Sequence, residues 1–229
     1  MTELAFIAAE PREFAGFLPQ LTHLAPVPLP VHWSRRATWK NQSVVLIANG
    51  AGPVRSAAAA KACEAATAII NLGFCGALES DLKIGDVIVA DKVFFSTQMF
   101  DCRFVTTSAS YRHGAIYSSA SIVSTAKEKA ELRKSGAIAV EMEAGGIAGV
   151  ARDRMLPFFC VRAVSDLAEE SFANDLQSAL APDGRFRTGR LIGSALLKPR
   201  ERFPELIRLK KRCDLAARRL GDFLDSCSF

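Results

Sequence analysis

The chain predicts an α/β fold in which helices cover both faces of a mixed or parallel sheet. Short apolar runs that do not alternate strictly with polar residues are typical of strands buried on both faces, and helical segments separate them here. The 229 residues, 49% of them hydrophobic, suffice for one domain with a substantial core. No internal repeat, low-complexity segment or linker divides the sequence.

The first part of the chain predicts three core strands and one helix. Apolar or β-branched runs at residues 4–8, 43–48 and 68–72 predict the strands. A glycine turn at 49–53 follows the second strand, and the alanine-rich stretch 56–66 predicts a helix. The third strand is expected to end at the turn formed by Gly73, Phe74, Cys75 and Gly76.

The following part predicts five more strands and one helix. The helix covers 143–154 and is stopped by Pro157, and the β-rich run FFCVRAV predicts a central strand at 158–164. The remaining strands are expected at 86–90, 92–95, 115–123 and 138–140.

Charge is distributed unevenly, which suggests a catalytic domain over 1–182 and a basic helical extension over 183–229. The extension holds 12 Lys/Arg and 6 Asp/Glu (net +6), whereas the rest holds 17 and 18 (net −1). The pI of about 9.0 therefore reflects the tail, which argues against nucleic-acid binding by the main domain. The tail predicts two helices broken near Pro199 and Pro204. One face collects residues at helical spacing: Leu206, Leu209, Cys213, Ala216, Leu220 and Leu224.

The cysteines and the N-terminus indicate a cytoplasmic protein. The six cysteines form no C-x-x-C pair and no metal-like spacing, so buried, reduced thiols are expected. The N-terminal stretch carries Glu3 and no basic region, which does not fit a secretory signal. No apolar run reaches the roughly 18 residues of a membrane span.

Acidic residues follow several predicted strands. Glu13 comes after the first, Glu141 and Glu143 after the strand at 138–140, and Asp166 after the strand at 158–164. Because ligands of open α/β sheets bind at the carboxyl ends of strands, these acids are expected to share one edge. No histidine lies there, and no metal site or cofactor is expected. Such a set suits cleavage of an N-glycosidic bond, with one acid for the leaving base and carboxylates for the ribose hydroxyls and the water.

Each residue alone also has an ordinary explanation. Glu141 and Glu143 would complement a helix dipole, and Asp166 would serve as an N-cap. Glu13 would be a solvated surface acid, and the glycines at 50–52 would only permit a tight turn.

The segment AIAVEMEAGGIAGVARDRMLPFFCVRAVSDLAEE (137–170) resembles the signature region of the purine nucleoside phosphorylase and nucleosidase superfamily. The similarity is greatest to nucleosidases of the 5′-methylthioadenosine/S-adenosylhomocysteine type. FIAAEPREF (6–14), NGAGPVRSAAAA (49–60) and IINLGFCGALESDLKIGDVIVAD (69–91) agree with it. The resemblance implies a three-layer αβα domain whose central mixed sheet is partly closed into a barrel, acting on a purine nucleoside with adenine as the expected base.

The resemblance also implies roles for individual residues. Asp166 would protonate or hydrogen-bond N7 of the purine, with Ser165 orienting it, and Glu13 would activate water. Glu143 would hold the ribose hydroxyls and Met142 would pack on the sugar, while Glu141 would support them. Ile122 would contact the base through its backbone. Phe74 and Gly76 complete the expected substrate-binding set.

Two departures from the family pattern concern the acceptor of the sugar. Phe74 replaces the phosphate-binding serine of the phosphorylases, and Asn71 replaces an arginine. Losing a donor and a charge favours water over phosphate, although Arg55 offers partial compensation. The phosphorolytic enzyme therefore stays the first alternative.

Two further departures concern substrate recognition. Ser121 stands where an aromatic side chain usually stacks on the purine. The segment between Asp91 and His113 is shorter than in the nucleosidases, which predicts a site open at the sugar 5′ substituent. Together with Phe74, Ser121 leaves room for an alternative of another class, a non-catalytic nucleoside- or lipid-binding protein.

The tail, PDGRFRTGRLIGSALLKPRERFPELIRLKKRCDLAARRL, resembles the C-terminal region of hopanoid-biosynthesis-associated phosphorylases, which act on an adenosyl-lipid. A basic amphipathic helix has two uses: peripheral contact with an anionic membrane, or packing on the body or a second subunit. The superfamily also implies a homodimer.

Overall fold

The computed structural model describes residues 3–229, so the first two residues of the N-terminal stretch considered above lie outside the described residues. The strands are β1 (Glu3–Ala8), β2 (Thr22–Pro26), β3 (Trp33–Trp39), β4 (Gln42–Ala48), β5 (Ala66–Ala77), β6 (Val87–Phe95), β7 (Gln98–Asp101), β8 (Arg112–Ser118), β9 (Ala137–Glu141) and β10 (Phe158–Asp166). The helices are α1 (Pro53–Ala62), α2 (Ala126–Arg133), α3 (Ala144–Asp153), α4 (Leu176–Ala179), α5 (Thr188–Ala195) and α6 (Pro199–Asp225).

The ten strands form one mixed sheet, part of which closes on itself. The path runs β10-β6-β8-β9-β5-β1-β4-β3-β2, with β7 paired to β6. Because β10 also pairs with β5, the strands β5, β9, β8, β6 and β10 form a closed ring. The β5–β10 and β6–β8 pairs are parallel, and the β5–β9 pair is antiparallel. The barrel predicted from the resemblance is confirmed.

Helices cover both faces of the sheet, as a three-layer fold requires. In β1, Ala5 and Ile7 belong to one apolar cluster, and Phe6 belongs to a second. The first cluster includes Ala59 of α1 together with residues of α3; the second includes Leu220 of α6. Consecutive apolar residues in these strands therefore serve two different cores, which is why the strands do not alternate with polar residues.

Several predicted boundaries were wrong. The strand expected at 68–72 extends to Ala77, because the glycines expected to form a turn lie within β5. The helix expected at 56–66 spans Pro53–Ala62, since proline suits the first helical position. The two strands expected at 86–90 and 92–95 form one strand, β6.

The strand expected at 115–123 is Arg112–Ser118, so Ser121 and Ile122 lie in a loop. Helix α2, which follows that loop, was not predicted, although Thr125 and Glu128 form a capping box at its start. Strands β2 and β3 were also missed, because β2 is exposed throughout and β3 carries Arg35 and Arg36 at its centre.

The tail forms two main helices, α5 and α6. They are separated just before Pro199, which is the first residue of α6. The expected break at Pro204 was wrong. Pro204 lies in the second turn of α6 and has no N–H to donate to the carbonyl of Arg200, four positions earlier. Because Arg200 is exposed, water can bind that carbonyl instead. Helix α6 packs against β10 and buries Cys213, Ala216, Leu220 and Leu224.

The six cysteines are free and buried. Among residues 3–229, no helix is long and apolar enough to cross a membrane.

Candidate active site

A cavity of about 190 Å³ lies at the carboxyl ends of β1, β5, β9 and β10. Its wall includes all eight residues that the sequence predicts for the site: Glu13, Phe74, Gly76, Ile122, Met142, Glu143, Ser165 and Asp166. The topology therefore brings together residues that are up to 153 positions apart, as the distance along the chain from Glu13 to Asp166 shows.

Glu13 is held on a short 3₁₀ turn (Pro11–Phe14) directly after β1. Its Oε2 accepts a hydrogen bond from the backbone N–H of Glu10 (2.8 Å), and Oε1 accepts one from Phe74 (3.0 Å). Burial raises the pKa of Glu13, although Arg162 and the two N–H donors act against that rise. A fixed carboxylate with a raised pKa is suited to accept a proton from water.

Gly73 allows this arrangement. A methyl group built on Gly73 would overlap both Arg162 Nη1 and Glu13 Oε1. Glycine at this position of β5 therefore lets the buried side chains of Glu13 and Arg162 lie against the backbone of the strand.

Glu141 and Glu143 have different partners. Glu141 accepts hydrogen bonds from the N–H groups of Glu143 (2.8 Å) and Ala144 (2.9 Å), so it satisfies donors at the start of α3. Glu143 Oε1 accepts from Gly52 (3.1 Å), within the glycine turn after β4, and its carboxylate faces the cavity. Burial raises the pKa of Glu143 to about 8. The positive charge of Arg162 acts against that rise, and the carboxylates of Glu141 and Glu13 add to it.

Arg162 was not singled out from the sequence, although it is fully buried at the centre of the acids. Its guanidinium contacts Glu141 and Asn71 through Nη2, and Glu143 (3.3 Å) through Nη1. A charged residue in the middle of the apolar run FFCVRAV was the signal that could have found it, because an arginine is almost never buried without paired acids.

Asp166 ends β10 and is 7% exposed. Its Oδ1 lies 2.9 Å from the Ser165 hydroxyl, and its Oδ2 lies 2.5 Å from Nζ of Lys129 on α2. Lys129 is a second residue that sequence reasoning missed, since α2 itself was not predicted.

The rest of the wall is largely apolar. Met142 and Ile122 line the cavity, and the backbone N–H of Ile122 donates to Gln177 Oε1 (3.0 Å). Apolar side chains from the second half of the chain also line the cavity: Phe172, Leu176, Phe186, Leu209 and Cys213. No residue between 77 and 120 is among those that line the cavity within the described chain.

The positions that would hold phosphate in a phosphorylase have other partners here. Asn71 Nδ2 donates to the carbonyl of Ile7 (3.1 Å), and its Oδ1 accepts from Arg162. Arg55 is not part of the cavity wall and donates to the carbonyl of Pro182 (3.4 Å). Across residues 3–229, no three His, Cys, Asp or Glu side chains are grouped as metal ligands would be.

The sheet partly closed into a barrel and the acid-lined cavity are those of an α/β enzyme with a nucleoside phosphorylase-like fold. A sequence model of the family described as Phosphorylase superfamily matches residues 5–108 and 102–183. The chain belongs to the Phosphorylase superfamily.

Two relatives are similar in sequence. A 5′-methylthioadenosine/S-adenosylhomocysteine nucleosidase of Oceanobacillus iheyensis is 30% identical over 176 residues, which cover 61% of this chain and 76% of that protein. One of Staphylococcus saprophyticus is 32% identical over 130 residues, or 44% of this chain and 57% of that protein.

Solved structures share the fold over nearly the whole chain. The nucleosidase of S. pneumoniae with the transition-state inhibitor MT-ImmA has a TM-score of 0.73 at 21% identity and covers 97% of this chain and 96% of that one. A futalosine hydrolase of Helicobacter pylori has a TM-score of 0.72 at 16% identity, covering 98% and 96%.

Proposed function

We propose that this protein hydrolyses the N-glycosidic bond of a purine nucleoside, with adenine as the base. The observation that carries the proposal is the convergence of three buried carboxylates, Glu13, Glu143 and Asp166, in one cavity with separate partners. Membership of the superfamily and the similarity to named nucleosidases support it.

Each acid would act on a different part of the substrate. Asp166 would deliver a proton to N7, so that the base leaves as a neutral purine when the bond between N9 and C1′ breaks. Glu143 would bind the ribose hydroxyls, with Met142 against the sugar. Glu13 would remove a proton from the water that attacks C1′, where positive charge develops. Ser165 would orient Asp166, and Ile122, Phe74 and Gly76 would line the base and sugar.

Water is the proposed acceptor. The Asn71 amide is engaged with Ile7 and Arg162, Phe74 offers no hydroxyl, and the guanidinium of Arg162 is bound by two carboxylates. Arg12, which also lines the cavity, is paired with Glu10 (2.7 Å). Among the cavity-lining residues of the described chain, an incoming phosphate dianion would therefore meet Glu13 without an unpaired cation beside it. Phosphorolysis stays the alternative, and ribose 1-phosphate released only when phosphate is present would establish it.

The decisive experiment measures base release with and without phosphate, from adenosine, methylthioadenosine, adenosylhomocysteine, inosine, futalosine and an adenosyl-lipid. Asp166→Asn is expected to lower the rate on the best substrate by about 10²–10⁴-fold, because the amide cannot pass a proton to N7. Asp153→Asn, at an exposed position of α3, is the matched control. Unchanged base release in D166N would refute the catalytic role of Asp166. No base release from any of these substrates by the wild-type protein would favour the non-catalytic nucleoside- or lipid-binding protein.

An adenosyl-lipid is the second candidate substrate, and the apolar part of the cavity wall favours it. Phe172, Leu176 and Leu209 provide apolar surface in that wall, and the short segment between β6 and β8 contributes nothing to it. A site open at the 5′ substituent would accept a large apolar group. Equal activity on methylthioadenosine and on the lipid would count against this assignment.

Peripheral membrane contact of the C-terminal region also stays a proposal. The apolar face of α6 is buried against the body, so the contact would use the exposed apolar residues around the α5–α6 junction, Leu196 (66%), Leu197 (80%) and Ile207 (57%). Lys198, Arg200 and Arg208 supply positive charge there. Flotation with anionic liposomes is expected to fail after Leu196→Glu and Leu197→Glu, and equal flotation would refute the contact.

The homodimer is proposed from the superfamily alone. Light scattering of the purified protein is expected to give twice the 24.7 kDa chain mass, and a single-chain mass would refute it.

A further inference from the structure

Lys129 is the only lysine among the buried residues of the described chain, with an exposed fraction of 1%. It lies on α2, whose start is fixed by the capping box of Thr125 and Glu128. Lysine is almost never fully buried unless it is paired, because removing an ammonium from water is expensive. The side chain therefore has a specific partner.

That partner is Asp166. Lys129 Nζ donates to Asp166 Oδ2 (2.5 Å) and to the carbonyl of Leu167 (2.6 Å), and it lies 5.6 Å from the centre of the Phe172 ring. These contacts provide two oxygen acceptors and one aromatic face for an ammonium group, which has three N–H donors.

This geometry raises a question about the proton. Asp166 Oδ2 accepts from the ammonium, and Oδ1 lies 2.9 Å from the Ser165 hydroxyl, whose single proton also has the Cys75 carbonyl 3.2 Å away. A carboxylate paired with an ammonium is an acceptor only, so it has no proton of its own to give to N7. Near neutral pH, where hydronium is scarce, a neighbouring group is the direct source of that proton.

The other titratable and charged groups facing Asp166 do not supply one. Burial raises the pKa of Cys75 on β5 well above its usual value and that of Cys213 on α6 to about 11, which makes both thiols weaker proton donors. Arg212 on α6 is bound to Glu170 by hydrogen bonds of 2.6 and 2.9 Å, and a guanidinium does not deprotonate. Lys129 is the group that remains.

We propose that Lys129 is the positioning residue of Asp166 and the source of the proton that Asp166 passes to the leaving base. The inference rests on the proposed function. As the bond between C1′ and N9 breaks, its electron pair moves to N9. Lys129 gives a proton to Asp166, which passes it to N7, and Lys129 becomes a neutral amine. Water gives hydroxide to C1′ and its proton to Glu13. Loss of the proton from Glu13 and reprotonation of Lys129 restore the resting state.

The test compares Lys129→Met, Lys129→Arg and the exposed Lys127→Met on the same helix. Base release is measured from pH 5 to pH 9 on the best adenine nucleoside. K129M is expected to lose about 10²–10⁴-fold near neutral pH and to recover relative to wild type as the pH falls, because solvent can then protonate Asp166 directly. K129R keeps the charge without a transferable proton, so it is expected to lose activity as well. K127M is expected to match wild type.

Two results would overturn the inference. K129R with activity within threefold of wild type would show that charge alone is needed. A loss in K129M that is equal at every pH, or that accompanies loss of the thermal unfolding transition, would show a purely structural role. The proposed function fails separately: wild-type protein that releases no base from any nucleoside would refute that function before any Lys129 variant is compared.

Discussion

Glu141 and Glu143, which are separated only by Met142, have different hydrogen-bond partners. The Glu141 carboxylate accepts hydrogen bonds from backbone N–H groups at the start of α3. It also contacts Arg162, so it connects the end of this helix to the buried guanidinium. Glu143 is the N-cap residue by position, yet its side chain caps nothing. The carboxylate that faces the cavity is therefore free of helix capping and available for a sugar hydroxyl.

The raised pKa of Glu143 predicts a pH dependence of stability. Its pKa rises from 4.5 in the unfolded chain to about 8 in the folded protein, so the folded state holds more protons between those values. The free energy of unfolding should therefore fall as the pH rises through this window. Glu143→Gln cannot titrate, and its stability should fall less between about pH 5 and pH 8 in urea unfolding without nucleoside. Equal falls in the two proteins would contradict the prediction.

Much of the cavity wall could be predicted residue by residue, since its acids lie at or soon after the ends of short apolar strands. The pairing of Arg162 and Lys129 could not be predicted in the same way. Their charges are compensated by Glu141, Glu143 and Asp166, which come from other elements and become neighbours only when the barrel closes. The apolar run around Arg162 indicates that this residue is buried, but it does not indicate which acids pair with it.

At the scale of the elements, α3 is positioned by small residues on its two contacting sides. A methyl group on Gly145 would overlap Phe95 of β6, and one on Gly146 would overlap the carbonyl of Pro53 in α1. Gly145 therefore gives room toward the sheet, and Gly146 lets α1 and α3 approach each other.

This contact predicts opposite effects for two similar substitutions. Gly146→Ala is expected to lower the free energy of unfolding by about 1–3 kcal/mol, because the methyl group has no space beside Pro53 and Ser56. Gly149→Ala, with no atom within 4 Å of the added carbon, is expected to raise it by up to about 1 kcal/mol. Urea unfolding of both variants checks this, and equal signs would contradict it.

Elements with one dominant local signal were predictable, and those defined by tertiary contacts were not. β1, β4 and β10 are each dominated by a run of apolar residues, so both type and position could be predicted. β5 extends through glycines that usually indicate a turn, because Glu13 and Arg162 need the space beside Gly73. β3 pairs along its whole length with β4, and no local sequence pattern predicts that it is a strand.

For the whole molecule, α6 is expected to be indispensable to the fold. Ala216, Leu220, Phe223 and Leu224 are each at most 3% exposed and belong to the apolar cluster on one face of the sheet. A methyl group on Gly221 would overlap the carbonyl of Gly16, so the helix also contacts the N-terminal segment backbone to backbone.

Deletion of residues 199–229 is therefore expected to abolish the cooperative thermal transition, because it exposes that cluster to water. Circular dichroism melts of the shortened and full-length chains provide the measurement. A cooperative transition in the shortened chain would show instead that residues 199–229 are an appendage rather than part of the core.

The cavity wall contains Ala9 and Glu13 from the start of the chain and Cys213 from near its end. During synthesis, the N-terminal half emerges first, and the ring of strands has all its members once β10 has been made. The wall still lacks α6 at that stage. A nascent chain whose α6 has not yet left the ribosome would thus carry Glu13, Glu143 and Asp166 in an unfinished pocket. Binding of a nucleoside should become detectable only after α6 has emerged and packed against the sheet.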